Sequence, residues 1–214
     1  MIEIRYAQIR SLDLSNGESV GVALFVQGCH FHCPNCFNPE TWDFSGGKEW
    51  TEEVKNKFLE LVERPYIKRV SLLGGECLAE ENLDGVLDLV TEINKRYNIP
   101  QDIDDNSQIN HDILNANANK IRLSSPQKSI WLYSGYTWEE IIGVKHENQF
   151  EDLGNGYCRL TKKASVIMNC NVLVDGKYIN SQRDITLPYR GSKNQRLINI
   201  QQSLQKGEIV LWKA

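Results

Sequence analysis

Apolar runs typical of strands alternate with amphipathic segments along the first half of the chain. Residues 20–26 are small and branched apolar residues, which predicts a buried strand that ends just before a cysteine-rich loop. Residues 69–73 predict a second strand, which Gly74 and Gly75 stop. Thr51 is placed to cap a helix between these strands. The apolar positions with helical spacing are Val54, Phe58, Leu61 and Val62 in that helix, and Leu83, Val86, Leu87, Val90 and Ile93 in the next one.

The second half of the chain returns to the same alternation. Residues 129–133 predict a strand, and Thr137 and Glu140 have the spacing of a capping box that opens a helix. Asp175-Gly176 marks a turn. Three further apolar runs predict strands at residues 166–174, 197–200 and 209–212.

Residues 98–128 interrupt this pattern with a segment that is rich in Asn, Asp, Gln and Ser and poor in large apolar residues. Such a composition is typical of a surface insertion, so we expect this segment to vary in conformation. A chain of 214 residues is long enough for one sizeable core. We therefore expect a single domain over residues 1–214 that carries a polar insertion at about 98–128.

The alternation of strands and helices indicates the fold class. Parallel strands need crossover connections, so the pattern predicts an α/β fold with a mainly parallel sheet and helices outside. A full α/β barrel takes about 250 residues, and the shorter chain favours an incomplete, partial TIM-type barrel. Ligands of such sheets bind beyond the carboxyl ends of the strands. The cysteine-rich loop and the segment Gly74-Gly75-Glu76 both follow strands and should lie at that edge.

Composition narrows the classes of function. The chain is 41% hydrophobic and 24% charged, which is ordinary for a globular protein. No stretch approaches the roughly 20 apolar residues that span a bilayer, and the first six residues have no feature of a signal peptide. The net charge is −4 and the basic residues form no long run, which argues against a surface for nucleic acid. We expect a cytoplasmic protein with neither membrane nor nucleic acid as a partner.

Three of the six cysteines lie within eight residues, as Cys29-x3-Cys33-x2-Cys36. In a chain without a secretion signal, clustered cysteines more often bind metal or take part in catalysis than form disulfides. Three thiolates on one short loop can bind three corners of an iron-sulfur cube. The fourth iron would then lack a protein ligand, and an open position is typical of catalytic metal sites.

Other interpretations of the cysteines remain open from spacing alone. Cys33 and Cys36 could hold zinc together with His30 or His32, or they could be ordinary buried thiols. A zinc knuckle, however, needs no Gly-Gly-Glu segment at the end of the next strand. Elsewhere, Cys170 lies in an apolar run and is expected to be a small core residue.

The cysteine motif is one of six segments that together carry a resemblance. Their order resembles the radical S-adenosylmethionine superfamily and, more narrowly, the anaerobic ribonucleotide reductase activating proteins. The cysteine motif alone supports only the superfamily, whereas the Arg-Gly-Ser-x-Asn-Gln-Arg stretch points to the narrower family. The segments are residues 27–38, 38–42 with Gly46-Gly47, 73–76, 132–137, 171–176 and 190–196.

The resemblance implies two cofactors and names their ligands. One 4Fe-4S cluster per chain would be held by the three cysteines of the motif, and the iron without a protein ligand would bind the amino and carboxylate groups of S-adenosylmethionine. Glycine suits a position beside a cofactor because the missing Cβ lets the backbone approach closely. The implied residues are Cys29, Cys33 and Cys36 for the cluster, and Asn35, Cys36, Phe37, Gly74, Gly75 and Glu76 for S-adenosylmethionine.

The resemblance also implies the reaction. The cluster would cleave S-adenosylmethionine reductively to methionine and a 5′-deoxyadenosyl radical, which would generate a glycyl radical on the anaerobic, class III ribonucleotide reductase. The cofactors carry this chemistry, so no side chain is expected to act as a catalytic acid or base. A flavodoxin-like protein would supply the electron. The alternatives are activation of another glycyl-radical enzyme of the formate-lyase type, a non-catalytic iron-sulfur electron carrier and a zinc module.

Two features depart from the family pattern or stay outside it. Cys77 stands where the family often has proline after Gly-Gly-Glu, and it could be a fourth ligand or a redox thiol. The insertion at about 98–128 is longer than the family usually requires.

The basic residues after the last central strand form either a solvated face or a site for an acidic partner surface or the cofactor carboxylate. They are Arg183, Arg190, Lys193 and Arg196.

Overall fold

The computed structural model describes residues 4–98, 127–143, 150–154 and 157–213. Residues 99–126 of the predicted insertion lie outside this part of the chain, so its predicted conformation is not tested. The strands are β1 (Arg5–Asp13), β2 (Gly21–Val26), β3 (Lys48–Glu49), β4 (Arg69–Gly74), β5 (Ser129–Tyr133), β6 (Phe150–Gly154), β7 (Tyr157–Leu160), β8 (Val172–Asp175) and β9 (Arg196–Asn199). The α-helices are α1 (Glu52–Glu63), α2 (Glu80–Tyr97), α3 (Trp138–Ile141), α4 (Lys162–Met168) and α5 (Ile200–Lys206).

Seven of these strands form one sheet in the order β3-β1-β2-β4-β5-β8-β9. The central strands β2, β4, β5 and β8 are parallel to one another, as the alternation of strands and helices predicts. The edges are antiparallel, through β1 and β3 on one side and β9 on the other. The sheet formed by the described residues is open and does not close into a barrel. Strands β6 and β7 pair as a separate hairpin.

The two faces of the sheet are covered differently. Alternate residues of β2, such as Leu24, belong to the large core that includes Phe58 of α1 and Val86 of α2. The residues between them point the other way, and Phe25 packs there in a small cluster with Leu73 of β4. This alternation follows from the two-residue period of a strand. Helices α1, α2 and α4 therefore pack on one face, and the opposite face is left to loops and a cavity.

Local sequence signals explain where the helices begin. Thr51 accepts a hydrogen bond from the backbone nitrogen of Val54 and so caps α1, as predicted. The predicted capping box of Thr137 and Glu140 is present, although the helix that it opens is only four residues long. Among the described helices, none has both the length and the apolar character needed to cross a membrane.

The strand predicted at residues 166–174 is wrong in its first half. This stretch instead contains the end of helix α4, a turn, and then strand β8. Thr161 caps the helix by accepting from the nitrogen of Ala164. The side chain of Asn169 donates back to the carbonyl of Ser165, and Asn171 accepts from the nitrogen of Ile130 in β5. Two asparagines thus break an apolar run that shows no clear period.

The strand predicted at residues 209–212 is present only as an irregular pairing. Leu211 forms an isolated bridge with Ile198 of β9. The nitrogen of Trp212 donates to the carbonyl of Leu197 at 2.8 Å. The end of the described chain therefore extends the antiparallel edge without forming a regular strand.

A buried ion pair closes the amino end of the central strands. Arg69 opens β4, is fully buried, and lies 2.8 Å from the carboxylate of Asp13 at the end of β1. Its guanidinium also donates to the backbone carbonyls of Asn16 and Glu18. Gly17 lies so close that a Cβ there would be 2.6 Å from the Arg69 side chain. The loop after β1 is therefore wrapped around one arginine.

Candidate functional site

The loops that follow the four parallel strands meet at the carboxyl edge of the sheet. The cysteine loop follows β2, and Gly75 and Glu76 follow β4. The nitrogen of Glu76 donates to the carbonyl of Gly28 at 2.7 Å, and the nitrogen of Gly75 donates to Val26 at 2.9 Å. Hydrogen bonds therefore join the two segments that the sequence predicts to form the site.

The cysteine loop turns sharply because four of its backbone positions are constrained. Gly28 has a φ of +94°, and a Cβ there would overlap the ring of Phe44. His32 and Asn35 have φ values of +45° and +58°, which places both in the left-handed region. The nitrogen of Cys29 donates to the carbonyl of Trp42 at 3.0 Å and fixes the start of the loop.

The three thiols of the motif lie together on this loop. Cys29, Cys33 and Cys36 are half-buried and form no disulfide. Burial raises the pKa of the Cys29 thiol, and the charges of Glu76 and Cys33 raise it further. Burial also raises the pKa of Cys33, with a further rise from Cys36 and a partial opposing effect from the backbone of Tyr178 and the charge of Lys177. Cys33 therefore lies close enough to Cys29 and to Cys36 for their charges to interact, and a bound metal would stabilise the ionised forms.

No compact site for a single metal ion is formed. Within residues 4–98, 127–143, 150–154 and 157–213, no three His, Cys, Asp or Glu side chains converge closely enough to hold one ion. His30 instead pairs with Glu81 at 2.9 Å, and His32 stacks on Trp42 with ring centroids 4.7 Å apart. The zinc site considered from the sequence, with Cys33, Cys36 and a histidine, is therefore not assembled.

The glycines after β4 allow the two strand ends to approach each other. A Cβ on Gly75 would lie 2.3 Å from the carbonyl oxygen of Gly28, and Gly74 has a φ of +104°. Any side chain at Gly75 would push the cysteine loop away from the strand. The glycines thus set the distance between the loop and its neighbour.

The carboxylate of Glu76 ties the ends of β4 and β5 together. It is buried and accepts hydrogen bonds from the backbone nitrogens of Leu78 and Gly135 and from the hydroxyl of Ser134. Burial raises the pKa of Glu76, and these three donors oppose that rise. The backbone carbonyl of Glu76 accepts from the side chain of Asn82, which also donates to Gln27. Gln27 and Asn82 are positioning residues that the sequence does not reveal.

Cys77 is fully buried behind this edge, in the core between the sheet and the helices. Burial raises the pKa of Cys77 well above its ordinary value, and the nearby charges of Glu76, Cys170 and Cys29 add to the rise. Cys170 is also fully buried in the same core, where we expect a small residue from its sequence context. Cys77 is therefore a buried core thiol in the described fold.

Two phenylalanines of the motif pack against the loops of neighbouring strands. The ring of Phe31 meets Tyr136 edge-on at 4.9 Å, and the ammonium of Lys177 lies 4.4 Å over it. Phe37 meets Tyr178 edge-on at 5.0 Å and lies against Gly191. The loops after β5 and β8 therefore position the cysteine loop from two sides.

A cavity of about 530 Å³ lies beside Cys36, on the face of the sheet opposite helices α1, α2 and α4. Its floor consists of Phe25, Leu73 and Tyr133 from three central strands. Small-molecule sites usually occupy roughly 300–1,000 Å³, so the cavity fits a cofactor of moderate size. The remaining lining residues come from β1 and the loop after it, from the cysteine loop and from the segment between β8 and β9. They are Arg10, Ser15, Asn16, Phe37, Asn38, Tyr178, Ile185, Leu187, Tyr189, Arg190, Gly191 and Gln195.

The residues that the resemblance assigns to S-adenosylmethionine do not all line this cavity. Cys36 and Phe37 do, whereas Asn35 is exposed at its turn. The segment Gly74–Glu76 lies on the adjoining strand end and contacts the cysteine loop instead.

The basic residues after β8 do not form a single surface. Arg196 pairs with Glu139 at 2.7 Å and with the buried carboxylate of Asp175. Lys193 is exposed and lies 3.8 Å from Asp184. Arg183 lies over the ring of Phe37. Arg196 is therefore committed to an internal ion pair and is not free to meet a partner or a cofactor.

Comparisons with known proteins agree with this geometry. A family model described as a 4Fe-4S single cluster domain matches residues 15–105 and 105–198. The anaerobic ribonucleoside-triphosphate reductase-activating protein of Vibrio cholerae is 30% identical over 194 residues, which cover 90% of this chain and 96% of the relative. The proteins of the same name from Escherichia coli strain K12 and Enterobacteria phage T4 are 28% and 26% identical over 90% and 91% of this chain, and 96% and 93% of their own lengths. The chain belongs to the 4Fe-4S family of anaerobic ribonucleoside-triphosphate reductase-activating proteins.

Proposed function

We propose that this protein is a radical S-adenosylmethionine enzyme that activates an anaerobic ribonucleoside-triphosphate reductase by generating its glycyl radical. The observation that carries this proposal is the set of three free, half-buried thiols on one loop, directly beside a cavity of cofactor size. Relatives that match about 90% of the chain bear the corresponding name. An electron carrier would need no such cavity.

In this proposal Cys29, Cys33 and Cys36 hold one 4Fe-4S cluster. Thiolates are the ligands that such clusters use, and three cysteines leave one iron open to a substrate. When bound, the cluster would pass one electron from an external donor to the sulfonium of S-adenosylmethionine. Cleavage of the C5′–S bond would release methionine and supply the 5′-deoxyadenosyl radical that takes a hydrogen atom from the target glycine. No acid or base is required of the protein.

The protein's own contribution is position and exclusion of water. Cys36 and Phe37 contact the cavity directly. The backbone of Gly74, Gly75 and Glu76 would contact the cofactor from the neighbouring strand end, which continues directly from Leu73 in the floor of the cavity. Asn35 would contact it only after a small movement of the exposed turn, since its side chain does not line the cavity.

The mouth of the cavity suits a protein substrate. Ile185 and Phe37 line the cavity and remain 78% and 54% exposed, and Leu12 and Leu14 are exposed just before the loop that supplies Ser15. Exposed apolar groups gathered at one opening mark a site for association. We propose that the segment of the reductase that carries the target glycine enters here, because the hydrogen atom can be taken only from a glycine that reaches the cavity.

The remaining features of the proposal rest on the family. We propose that the chain acts as one domain in the cytoplasm, with a flavodoxin-like protein as electron donor. The open sheet, with its loops gathered at one edge, would be the incomplete barrel of this superfamily. The four central parallel strands and the helices on one face support that comparison.

The test is anaerobic and uses protein reconstituted with iron and sulfide. After reduction and addition of S-adenosylmethionine, the wild type should produce 5′-deoxyadenosine, and Cys33→Ala should lose both the cluster absorbance and the product. Cys170→Ala is the matched control, since this buried thiol lies in the helix-covered core. It should retain the cluster and the activity.

The partner is identified by adding candidate proteins to the same sample. Appearance of a glycyl radical signal on the anaerobic reductase, and not on a formate-lyase-type enzyme, is the expected result. If the wild type carries a full cluster and yields no 5′-deoxyadenosine, the enzyme proposal fails and a simple electron carrier replaces it.

A further inference from the structure

One arginine of the cavity has an unsatisfied polar atom. Within the part of the chain that the structure describes, three buried side-chain polar atoms have no hydrogen-bond partner: Trp42 Nε1, Arg190 Nε and Asn194 Oδ1. Of these three residues, only Arg190 lines the cavity. A buried donor left without an acceptor costs free energy, so such a group usually has a ligand in the working protein.

The other arginine of the cavity is already engaged. The guanidinium of Arg10 lies 4.5 Å over the ring of Phe25. It also reaches Gln8 at 3.4 Å and the carboxylate of Asp13 at 3.7 Å. Among the described residues that line the cavity, Arg190 is therefore the cation left to receive an anionic group.

The backbone on both sides of Arg190 is held in place. The carbonyl of Tyr189 accepts a hydrogen bond from the hydroxyl of Tyr133 at 2.9 Å. The nitrogen of Gly191 donates to Gln195 at 2.9 Å, and a Cβ on Gly191 would lie 2.5 Å from the ring of Phe37. The segment therefore presents the arginine to the cavity from a fixed position, directly beside the residue that follows Cys36.

We propose that Arg190 binds the carboxylate of the methionyl group of S-adenosylmethionine. This inference rests on the proposed function, because it assumes that S-adenosylmethionine occupies the cavity. The methionyl carboxylate is the only anionic group of that cofactor, and the sulfonium is repelled by a guanidinium. The fork of an arginine matches the two oxygens of a carboxylate. Arg190 thus fixes which end of the cofactor lies against the segment before β9.

Position favours the cofactor over the partner protein as the source of this carboxylate. Arg190 is half-buried and lines the cavity, whereas Arg183 and Lys193 of the same segment are exposed and do not line it. An acidic side chain of a docking protein would meet those two residues first. A small molecule inside the cavity can reach the part of the Arg190 side chain that lines it.

The experiment measures anaerobic equilibrium binding to protein loaded with the oxidised cluster, so that no cleavage occurs. Two ligands are compared: S-adenosylmethionine and its decarboxylated analogue, which retains the sulfonium and the amino group. Arg190→Gln should bind S-adenosylmethionine roughly ten- to hundredfold more weakly, the range expected for hydrogen bonds to a charged group. Its affinity for the decarboxylated analogue should equal that of the wild type.

Two further variants make the result specific. Arg190→Lys keeps the charge without the fork and should lose part of the affinity, while Lys193→Gln removes an exposed charge from the same segment and should bind like the wild type. Equal losses for both ligands in Arg190→Gln would overturn the inference, as would unchanged binding of S-adenosylmethionine. If only binding to the reductase weakens, the carboxylate belongs to the partner and the inference is wrong. Wild-type protein that cleaves S-adenosylmethionine in any of these cases leaves the proposed function intact.

Discussion

The amino and carboxyl ends of the central strands differ in how completely their polar groups are satisfied. At the amino end, the guanidinium of Arg69 is surrounded by acceptors, among them the carboxylate of Asp13 and the carbonyl of Asn16. At the carboxyl end, three thiols are free and the Nε of Arg190 has no partner among the described residues. Buried polar groups that are fully paired hold a fold together, and unpaired ones mark a place for a ligand. One end of the sheet is therefore built for stability and the other for binding.

The largest expected effect on stability comes from removing the buried ion pair at the amino end of the central strands. Asp13→Ala leaves the buried guanidinium of Arg69 without its counter-charge, and removal of one partner from a buried ion pair costs about 3–5 kcal/mol. The midpoint of urea unfolding, followed by circular dichroism, should fall accordingly.

A double variant tests whether the uncompensated charge is the cause. Asp13→Ala combined with Arg69→Met removes both charges and should recover part of the lost free energy of unfolding. If the double variant is less stable than the single variant by the full cost of a second core change, the hydrogen bonds to the loop after β1 matter more than the ion pair.

The next effect concerns Arg196, which lies six residues after Arg190 but already has two carboxylate partners in the fold. Arg196→Met leaves the buried carboxylate of Asp175 without its guanidinium and should cost about 2–3 kcal/mol, in the range for hydrogen bonds to charged groups. Thermal unfolding should shift down while binding of S-adenosylmethionine stays unchanged. A large loss of affinity for S-adenosylmethionine in correctly folded Arg196→Met would contradict the assignment of Arg196 to the fold and of Arg190 to the cofactor.

The second ion pair of Arg196, with Glu139, predicts a pH dependence of stability. Hydrogen bonding from Arg196 holds the pKa of Glu139 below its ordinary value of 4.5. A carboxylate with a lowered pKa stabilises the fold above that ordinary value, and the stabilisation is lost as the pH falls through the folded pKa. Wild type should therefore exceed Glu139→Gln in unfolding free energy at neutral pH, and the difference should shrink below about pH 4.5. A constant difference down to acid pH would contradict the assignment.

Local signals in the sequence predict the central strands and the cysteine loop, but not how distant polar groups pair. Strand β2 is apolar on both faces and is closely followed by Gly28, and the apolar run of β4 ends in Gly74, so the positions of both strands follow from local composition. The run at residues 166–174 has no clear period, and its division into helix and strand depends on Asn169 and Asn171 bonding to other elements. Sequence patterns describe neighbours along the chain better than partners across the fold.

The basic segment before β9 shows the same limit. Arg190 and Arg196 look alike in the sequence, and both were candidates for binding a partner or a cofactor. Glu139 and Asp175 reach Arg196 from elements 57 and 21 residues away along the chain. These two ion pairs make Arg196 a structural residue, and no local pattern in the sequence predicts them.

The fourth prediction concerns the mouth of the cavity at the carboxyl end of the strands. Ile185 is the most exposed large apolar residue among those described and lines the cavity. Ile185→Glu should weaken binding of the reductase about tenfold, or about 1.4 kcal/mol, by placing a charge in an apolar contact. Production of 5′-deoxyadenosine without the reductase should stay at the wild-type level. Tyr66→Glu, at an exposed aromatic residue that does not line the cavity, is the control and should bind the reductase normally.

The smallest effect tests whether binding at the carboxyl end of the strands depends on how firmly the segment that carries Arg190 is held. Tyr133→Phe removes the hydrogen bond to the carbonyl of Tyr189 and should cost about 1 kcal/mol, the usual net value of one such bond. Because that bond holds the segment against the floor of the cavity, hydrogen exchange should speed up at residues 189–191 and the affinity for S-adenosylmethionine should fall a few fold. Tyr66→Phe, at an exposed ring, should change neither. Faster exchange with unchanged affinity would mean that Arg190 binds its ligand without the hydrogen bond from Tyr133. The contact between Phe37 and Gly191 would then hold the segment in place.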